Sequence, residues 1–184
     1  FSLEARRRFN AGGLDAAGQA ATLLFLNRTC FNGLYRENAK GAFNVPYGKV
    51  KRPCICDRET LLADARALRG VDCQCGDFAE TLKRVEGPAF FYLDPPYKPI
   101  SQTSSFNAYT RVPFDDAEQA RLARFCRVLD AAGHRFLLSN SDPGGDFFER
   151  LYAGFRIERV QARRSVNANP AKRGALTELL ISNL

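Results

Sequence analysis

Five apolar or aromatic residues, Ala89-Phe90-Phe91-Tyr92-Leu93, run directly into Asp94-Pro95-Pro96-Tyr97, and this junction constrains the chain more than any other feature. The run reads as a buried strand, and two prolines without N–H donors cannot continue a ladder, so the strand must stop at Asp94. Asp94 then stands at a carboxyl-terminal strand edge, where open α/β sheets place their ligand crevice. The prolines fix φ and hold a carboxylate, a carbonyl and an aromatic ring in one small volume. That set suits an exocyclic amine. The Asp94 carboxylate and the Pro95 carbonyl can each accept one of its N–H donors, drawing the nitrogen toward a tetrahedral, nucleophilic state, while Tyr97 stacks on the base that carries it. Taken alone, the tetrapeptide is also compatible with a Pro-Pro turn that closes an ordinary strand.

Around this junction the chain alternates between helical and extended patterns. Spacing and caps predict helices over residues 14–28 and 59–69, a short one after Gly76-Asp77-Phe78, and another over residues 147–153. A longer helix is capped by Asp115 or Asp116, carries Leu122, Phe125, Cys126 and Leu129 on one face and stops at Gly133. Strands are predicted over residues 71–75, 89–93, 134–140, 155–163 and 176–183. The fold class this implies is α/β, with a largely parallel sheet wound on both faces. Residues 29–58 differ: Gly33, Asn38, Gly41, Asn44, Pro46 and Gly48 punctuate short aromatic stretches, which reads as a hairpin or loop-rich lobe. The polar stretch over residues 98–113, with Ser101, Thr103, Ser104, Ser105 and Asn107, reads as a mobile active-site loop.

Charge narrows the partner. Of the net +7, residues 28–58 carry seven basic against two acidic side chains and residues 156–173 six against one, so each segment is +5 and the rest of the chain is −3. Basic charge confined to two segments is the footprint of a polyanion, with nucleic acid the leading candidate; the alternative is two solvated faces on an enzyme of small anions. No apolar stretch is long enough to span a membrane. Six cysteines without an export signal point to a reducing cytosol. The two Cys-x-Cys pairs are too closely spaced for an ordinary zinc site, and His134 is the only histidine, so no metal is expected.

The block Asn27-Arg28-Thr29-Cys30-Phe31-Asn32-Gly33-Leu34-Tyr35-Arg36-Glu37-Asn38, then Phe43-Asn44-Val45-Pro46-Tyr47-Gly48, then Asp94-Pro95-Pro96-Tyr97, strongly resembles the Dam family of DNA adenine-N6 methyltransferases. The resemblance runs through essentially the whole chain, including an Arg163-Arg164-Ser165 segment. It implies a Rossmann-like methyltransferase sheet, incomplete at its amino end, over residues 71–184. It also implies an inserted, mainly helical and loop-built DNA-recognition lobe over residues 1–70, with its hairpin at about residues 29–50. In that family Asp94, Pro95, Pro96 and Tyr97 would hold a flipped adenine, and Asp77, Phe78 and Asp94 would border S-adenosyl-L-methionine. Leu34, Arg36 and Pro46 would read base edges of duplex DNA from the hairpin. Phe31 would wedge at the duplex beside Asn32, and Arg28, Asn38, Asn44, Lys49 and Lys51 would contact phosphates.

Two family features are missing: an F-x-G-x-G turn that packs against the methionine end of the cofactor, and a Lys-containing Gly-Gly motif near the amino terminus. The expectation is therefore the carboxyl-terminal two-thirds of an enzyme, inactive by itself and completed by an amino-terminal segment or companion chain. The resemblance further implies a GATC-like site, a monomer when complete, and the cytoplasm of a prokaryote or phage host, at the nucleoid. The rival readings are a methyltransferase for cytosine N4 or another amine, where Ser or Asn usually stands in place of Asp94, and a DNA-binding module without catalysis.

Overall fold

The structure, a computed structural model, describes residues 1–100, 114–163 and 175–184, which fall into two compact units divided between Gln74 and Cys75. Residues 101–113 of the polar stretch over 98–113, and the basic turn with Arg164, Ser165, Lys172 and Arg173, lie outside the described residues.

In the first unit, α1 (Ser2–Ala11) precedes α2 (Ala16–Thr29), whose first turn is capped by Asp15 accepting from the Gly18 amide at 2.9 Å. Ala5 and Phe9 of α1 and Phe25 of α2 pack around a small core of Leu26, Cys30, Phe43 and Val45. The chain between Thr29 and Lys49 returns on itself as expected of a hairpin. Its ladder, however, is reduced to two isolated antiparallel bridges, Cys30 with Tyr47 and Glu37 with Phe43. Backbone bonds still cross it, from the Phe31 amide to the Pro46 carbonyl at 2.9 Å and from the Gly48 amide to the Thr29 carbonyl at 2.8 Å, and Asn10 clasps it with a side chain that donates to the Phe43 carbonyl at 3.0 Å and accepts from the Phe43 amide at 2.8 Å. A third helix, α3 (Arg58–Ala67), starts on the side chain of Asp57. The strand predicted over residues 71–75 does not form. Those residues are exposed and make no strand pairing among the described residues, and a strand needs a neighbour as well as an apolar pattern.

The second unit begins with a 3-10 turn, Phe78–Arg84, capped by Asp77, followed by β1 (Phe90–Leu93), α4 (Asp116–Ala131), β2 (Arg135–Ser141), α5 (Phe147–Leu151), β3 (Arg156–Arg163) and β4 (Ala175–Ser182). The sheet order is β1-β2-β4-β3, and the expected largely parallel sheet is corrected to a mixed one: β1 and β2 are parallel, while β2–β4 and β3–β4 are antiparallel. Connection length explains the difference. The β1–β2 crossover includes α4, whereas β3 and β4 are separated by too few residues for a parallel crossover.

Leu122, Phe125, Cys126 and Leu129 of α4, with Phe148 and Tyr152, bury against Phe136, Leu138, Leu179 and Ile181 of the sheet. The winding on both faces is not seen among the described residues of this unit, where that single face is packed. On β1, Phe91 and Leu93 join the core, but Phe90 and Tyr92 are 56% and 61% exposed. Among the described residues β1 stands at the end of the strand order with one face covered, Phe91 and Leu93 turned to the core and Phe90 and Tyr92 away from it.

Candidate functional site

The parallel register pairs Leu93 with Leu138, so the chain leaves β1 at Asp94 beside Ser139. The Ser139 hydroxyl donates to Asp94 Oδ1 at 3.0 Å and lies 3.4 Å from the Tyr92 hydroxyl. Asp94 itself is exposed. The Pro96 carbonyl accepts from Gln119 of α4 at 3.2 Å, whereas the Pro95 carbonyl meets no donor among the described residues. The Tyr97 hydroxyl donates to Glu178 Oε2 at 3.4 Å, and burial pushes its phenol up from the ordinary value against the opposing hydrogen bond with Ser139. The Lys98 ammonium pairs with Asp116 and sits 4.1 Å from the centre of the Phe147 ring. A carboxylate and a carbonyl are therefore left available at the strand end, which is the acceptor pair an amine requires.

Asp77 and Phe78 are tied to α4. Arg121 donates to both Asp77 oxygens, at 2.9 and 2.8 Å, and its guanidinium lies 4.0 Å from the centre of the Phe78 ring. A further bond from the Ala79 amide at 2.9 Å makes three donors on that carboxylate. Chiefly through the Arg121 bonds and then that of Ala79, the carboxyl is held below its usual range. The carboxylate keeps acceptor capacity for one more donor, and the ring is half-buried against Phe125 at 5.4 Å. An acceptor next to an aromatic ring fits an adenine ring carrying an amine.

In the first unit, Arg28, Phe31, Asn32, Arg36, Asn38, Pro46, Lys49 and Lys51 are exposed, while Leu34 and Asn44 are half-buried. Leu34 packs on the small core. Arg36 Nε donates to Asn44 Oδ1 at 2.7 Å, and the Asn44 amide donates to the Arg36 carbonyl at 3.0 Å, so the two residues face each other across the hairpin. Asn38 Oδ1 accepts from the amides of Lys40 and Ala42 and builds the tip. The described non-glycine residues with left-handed φ, Asn32 (54°), Lys49 (54°) and Arg52 (49°), all lie in this segment. Such outliers concentrate where a fold presents itself to a ligand. Gly48 is required by closeness: a Cβ there would stand 2.4 Å from the Cys30 carbonyl oxygen.

The sequence reading missed Ser139, Asn140, Gln119 and Arg121. The signal for the first two was the polar Ser139-Asn140-Ser141 run closing an apolar strand; Gln119 and Arg121 looked like ordinary surface positions of an amphipathic helix.

A profile of the family described as D12 class N6 adenine-specific DNA methyltransferase matches residues 3–166. Among similar proteins, the Type II methyltransferase M.MjaIII of Methanocaldococcus jannaschii is 47% identical over 95% of this chain and 60% of its own length. A DNA adenine methylase of Vibrio cholerae is 36% identical over 97% of this chain and 63% of its own. The DNA N-6-adenine-methyltransferase of Escherichia phage P1 is 38% identical over 97% of this chain and 24% of its own. The chain thus spans under two thirds of the length of these relatives.

Proposed function

The chain belongs to the D12 class of N6 adenine-specific DNA methyltransferases, and on that premise we propose that it carries the amine-holding and DNA-contacting parts of an enzyme that methylates adenine N6 in duplex DNA. The observation that carries this reading is the exposed Asp94 carboxylate, next to Ser139 at the end of β1, followed by a Pro95 carbonyl that meets no donor among the described residues. Asp94 and Pro95 accept the two N–H groups of an adenine turned out of the duplex, which leaves the nitrogen lone pair free to attack. Tyr97 offers its ring to the base. S-adenosyl-L-methionine, when bound, supplies the electrophilic methyl group. Asp77 and Phe78 are the residues of this chain that fit its adenine, with Arg121 holding both in place. The first unit provides the DNA contacts: Arg36, Leu34 and Pro46 toward base edges of a GATC-like site, Phe31 and Asn32 at the displaced base pair, and Arg28, Asn38, Asn44, Lys49 and Lys51 toward phosphates. This chemistry belongs in the cytoplasm of a prokaryote or a phage-infected cell, and no helix among the described residues is long and apolar enough to cross a membrane.

The test is a nucleoside digest of duplex DNA treated with the intact enzyme that carries this chain and labelled cofactor, with wild type compared with Asp94→Ala. N6-methyladenosine should form with wild type. Asp94→Ala should lose more than about tenfold in rate, or roughly 1.4 kcal/mol of transition-state stabilisation, while DNA affinity stays within a few-fold. Label in N4-methylcytosine, or a near-normal rate for Asp94→Ala, would overturn the assignment.

A further inference from the structure

The core of the second unit is built from Phe, Leu and Ile, yet Gln119 and Asn140 are 0% exposed and Ser139 and Ser141 4%. Buried polar side chains cost stability unless they are bonded, so their partners show what they are for. All four converge on residues 94–98. Ser139 donates to Asp94 Oδ1 at 3.0 Å. Asn140 Oδ1 accepts from the Lys98 amide at 2.9 Å and the Ser141 amide at 2.9 Å, Asn140 Nδ2 donates to Gln119 Oε1 at 3.2 Å, and Gln119 Nε2 donates to the Pro96 carbonyl at 3.2 Å. Ser141 Oγ donates to the Lys98 carbonyl.

The polarity of this chain of bonds is forced. Two backbone amides facing Asn140 are donors only, so its oxygen must face them and its nitrogen must face Gln119, which in turn presents its own nitrogen to the Pro96 carbonyl. Neither amide can flip without breaking bonds at both ends. Asp94, by contrast, has a broad torsional well at its carboxylate, and nothing in its own chemistry selects one orientation.

Resting on the reading of Asp94 as an amine acceptor, we propose that Ser139 and the Gln119–Asn140 pair are positioning residues for adenine methylation. Ser139 engages one carboxylate oxygen and so turns Asp94 Oδ2 toward the amine. The pair draws the Pro96 carbonyl inward, which leaves the Pro95 carbonyl as the second acceptor. The other polar groups at this point are the hydroxyls of Tyr92 and Tyr97 and the Glu178 carboxylate, and Tyr97 is itself bonded to Glu178. Positioning of this kind acts on rate rather than on affinity, because a small misplacement of the acceptors costs reactive geometry and leaves the DNA and cofactor contacts intact.

The experiment is single-turnover methyl transfer by the intact enzyme that carries this chain with Ser139→Ala, Ser139→Thr and Gln119→Glu, alongside dissociation constants for S-adenosyl-L-methionine and duplex DNA and the thermal midpoint. Gln119→Glu keeps the acceptor for Asn140 and, once ionised, removes the donor to Pro96, so its transfer rate is read at raised as well as neutral pH. Ser139→Ala and Gln119→Glu should each slow transfer at least about tenfold, with both dissociation constants within about twofold and Ser139→Thr regaining most of the rate. The proposal is overturned if Ser139→Ala and Gln119→Glu both keep wild-type rates, if Ser139→Thr is as slow as Ser139→Ala, or if the rate losses merely follow weaker binding or a collapsed thermal midpoint. Asp94→Ala runs in parallel: a near-normal rate there would sink the amine-acceptor reading itself, which a failure confined to the Ser139 and Gln119 variants would leave standing.

Discussion

Among the described residues Arg36 is anchored through one nitrogen and meets no partner at the others. Asn44 takes its Nε at 2.7 Å, so the planar fork formed by the two terminal nitrogens points away from its anchor with its rotation restricted. A fork held this way suits bidentate donation to guanine O6 and N7 in the major groove. Arg36→Ala should relax the preference at one guanine by about 1–3 kcal/mol, whereas Lys51→Ala should weaken binding to all sequences alike and lower the salt slope by about one. Asn44→Ala discriminates further. If its main task is to orient Arg36, it reproduces a weaker form of the Arg36→Ala specificity loss; if it is a phosphate contact, it follows Lys51→Ala. Methylation and binding on cognate duplexes and on single-base variants read all three. Tyr35 belongs to the same stretch: its hydroxyl donates to Glu37 at 2.6 Å, and mainly through that bond its phenol is pushed up to about 12, so it stays protonated as a surface donor.

At the scale of elements, caps and close approaches set stability. Asp115 accepts from the Ala117 and Glu118 amides at 3.0 and 3.1 Å and starts α4, the helix that carries both Gln119 and Arg121. Asp115→Ala should cost about 1 kcal/mol, read by denaturant melts. Gly48→Ala would drive a methyl against the Cys30 carbonyl, and since neither side of that contact is a flexible side chain, about 1–3 kcal/mol of strain should open the Cys30–Tyr47 bridge and reduce DNA affinity together with it. The Asp77 tie to α4 is pH-dependent in a definite direction. Its folded carboxyl is held below the ordinary value, so the tie contributes above the unfolded pKa of about 3.9 and is lost as pH falls through the lowered folded value. Wild type and Asp77→Asn should therefore differ in denaturation midpoint near neutral pH and converge in strong acid. Equal gaps at both pH values would show that the carboxylate charge is not what matters there.

Across the whole molecule, the segregated basic charge makes a prediction that no single residue makes. Residues 28–58 and 156–173 each carry +5 on a chain whose remainder is −3, so duplex affinity should fall steeply with salt, with a log–log slope near −0.9 for each phosphate neutralised. Binding that is flat between low and physiological salt would remove DNA as the partner of these segments. The linear chain was enough to determine much else. A strand must stop where two prolines follow it, and Asp115 and Gly133 bracket a helix whatever packs upon it, because each depends on neighbours a few residues away. Local pattern does not encode which surfaces meet, and that is where the tertiary structure decided. Among the described residues it made the sheet mixed, turned Phe91 and Leu93 rather than Phe90 and Tyr92 to the core, and gave residues 71–75 no strand partner. It also brought Ser139, from a strand 45 residues away, onto the Asp94 carboxylate, and Gln119, from a helix 23 residues away, onto the Pro96 carbonyl. A buried hydrogen bond between distant residues leaves no periodicity in the sequence; its partners become visible when the sheet register and the helix face that cover them are in place.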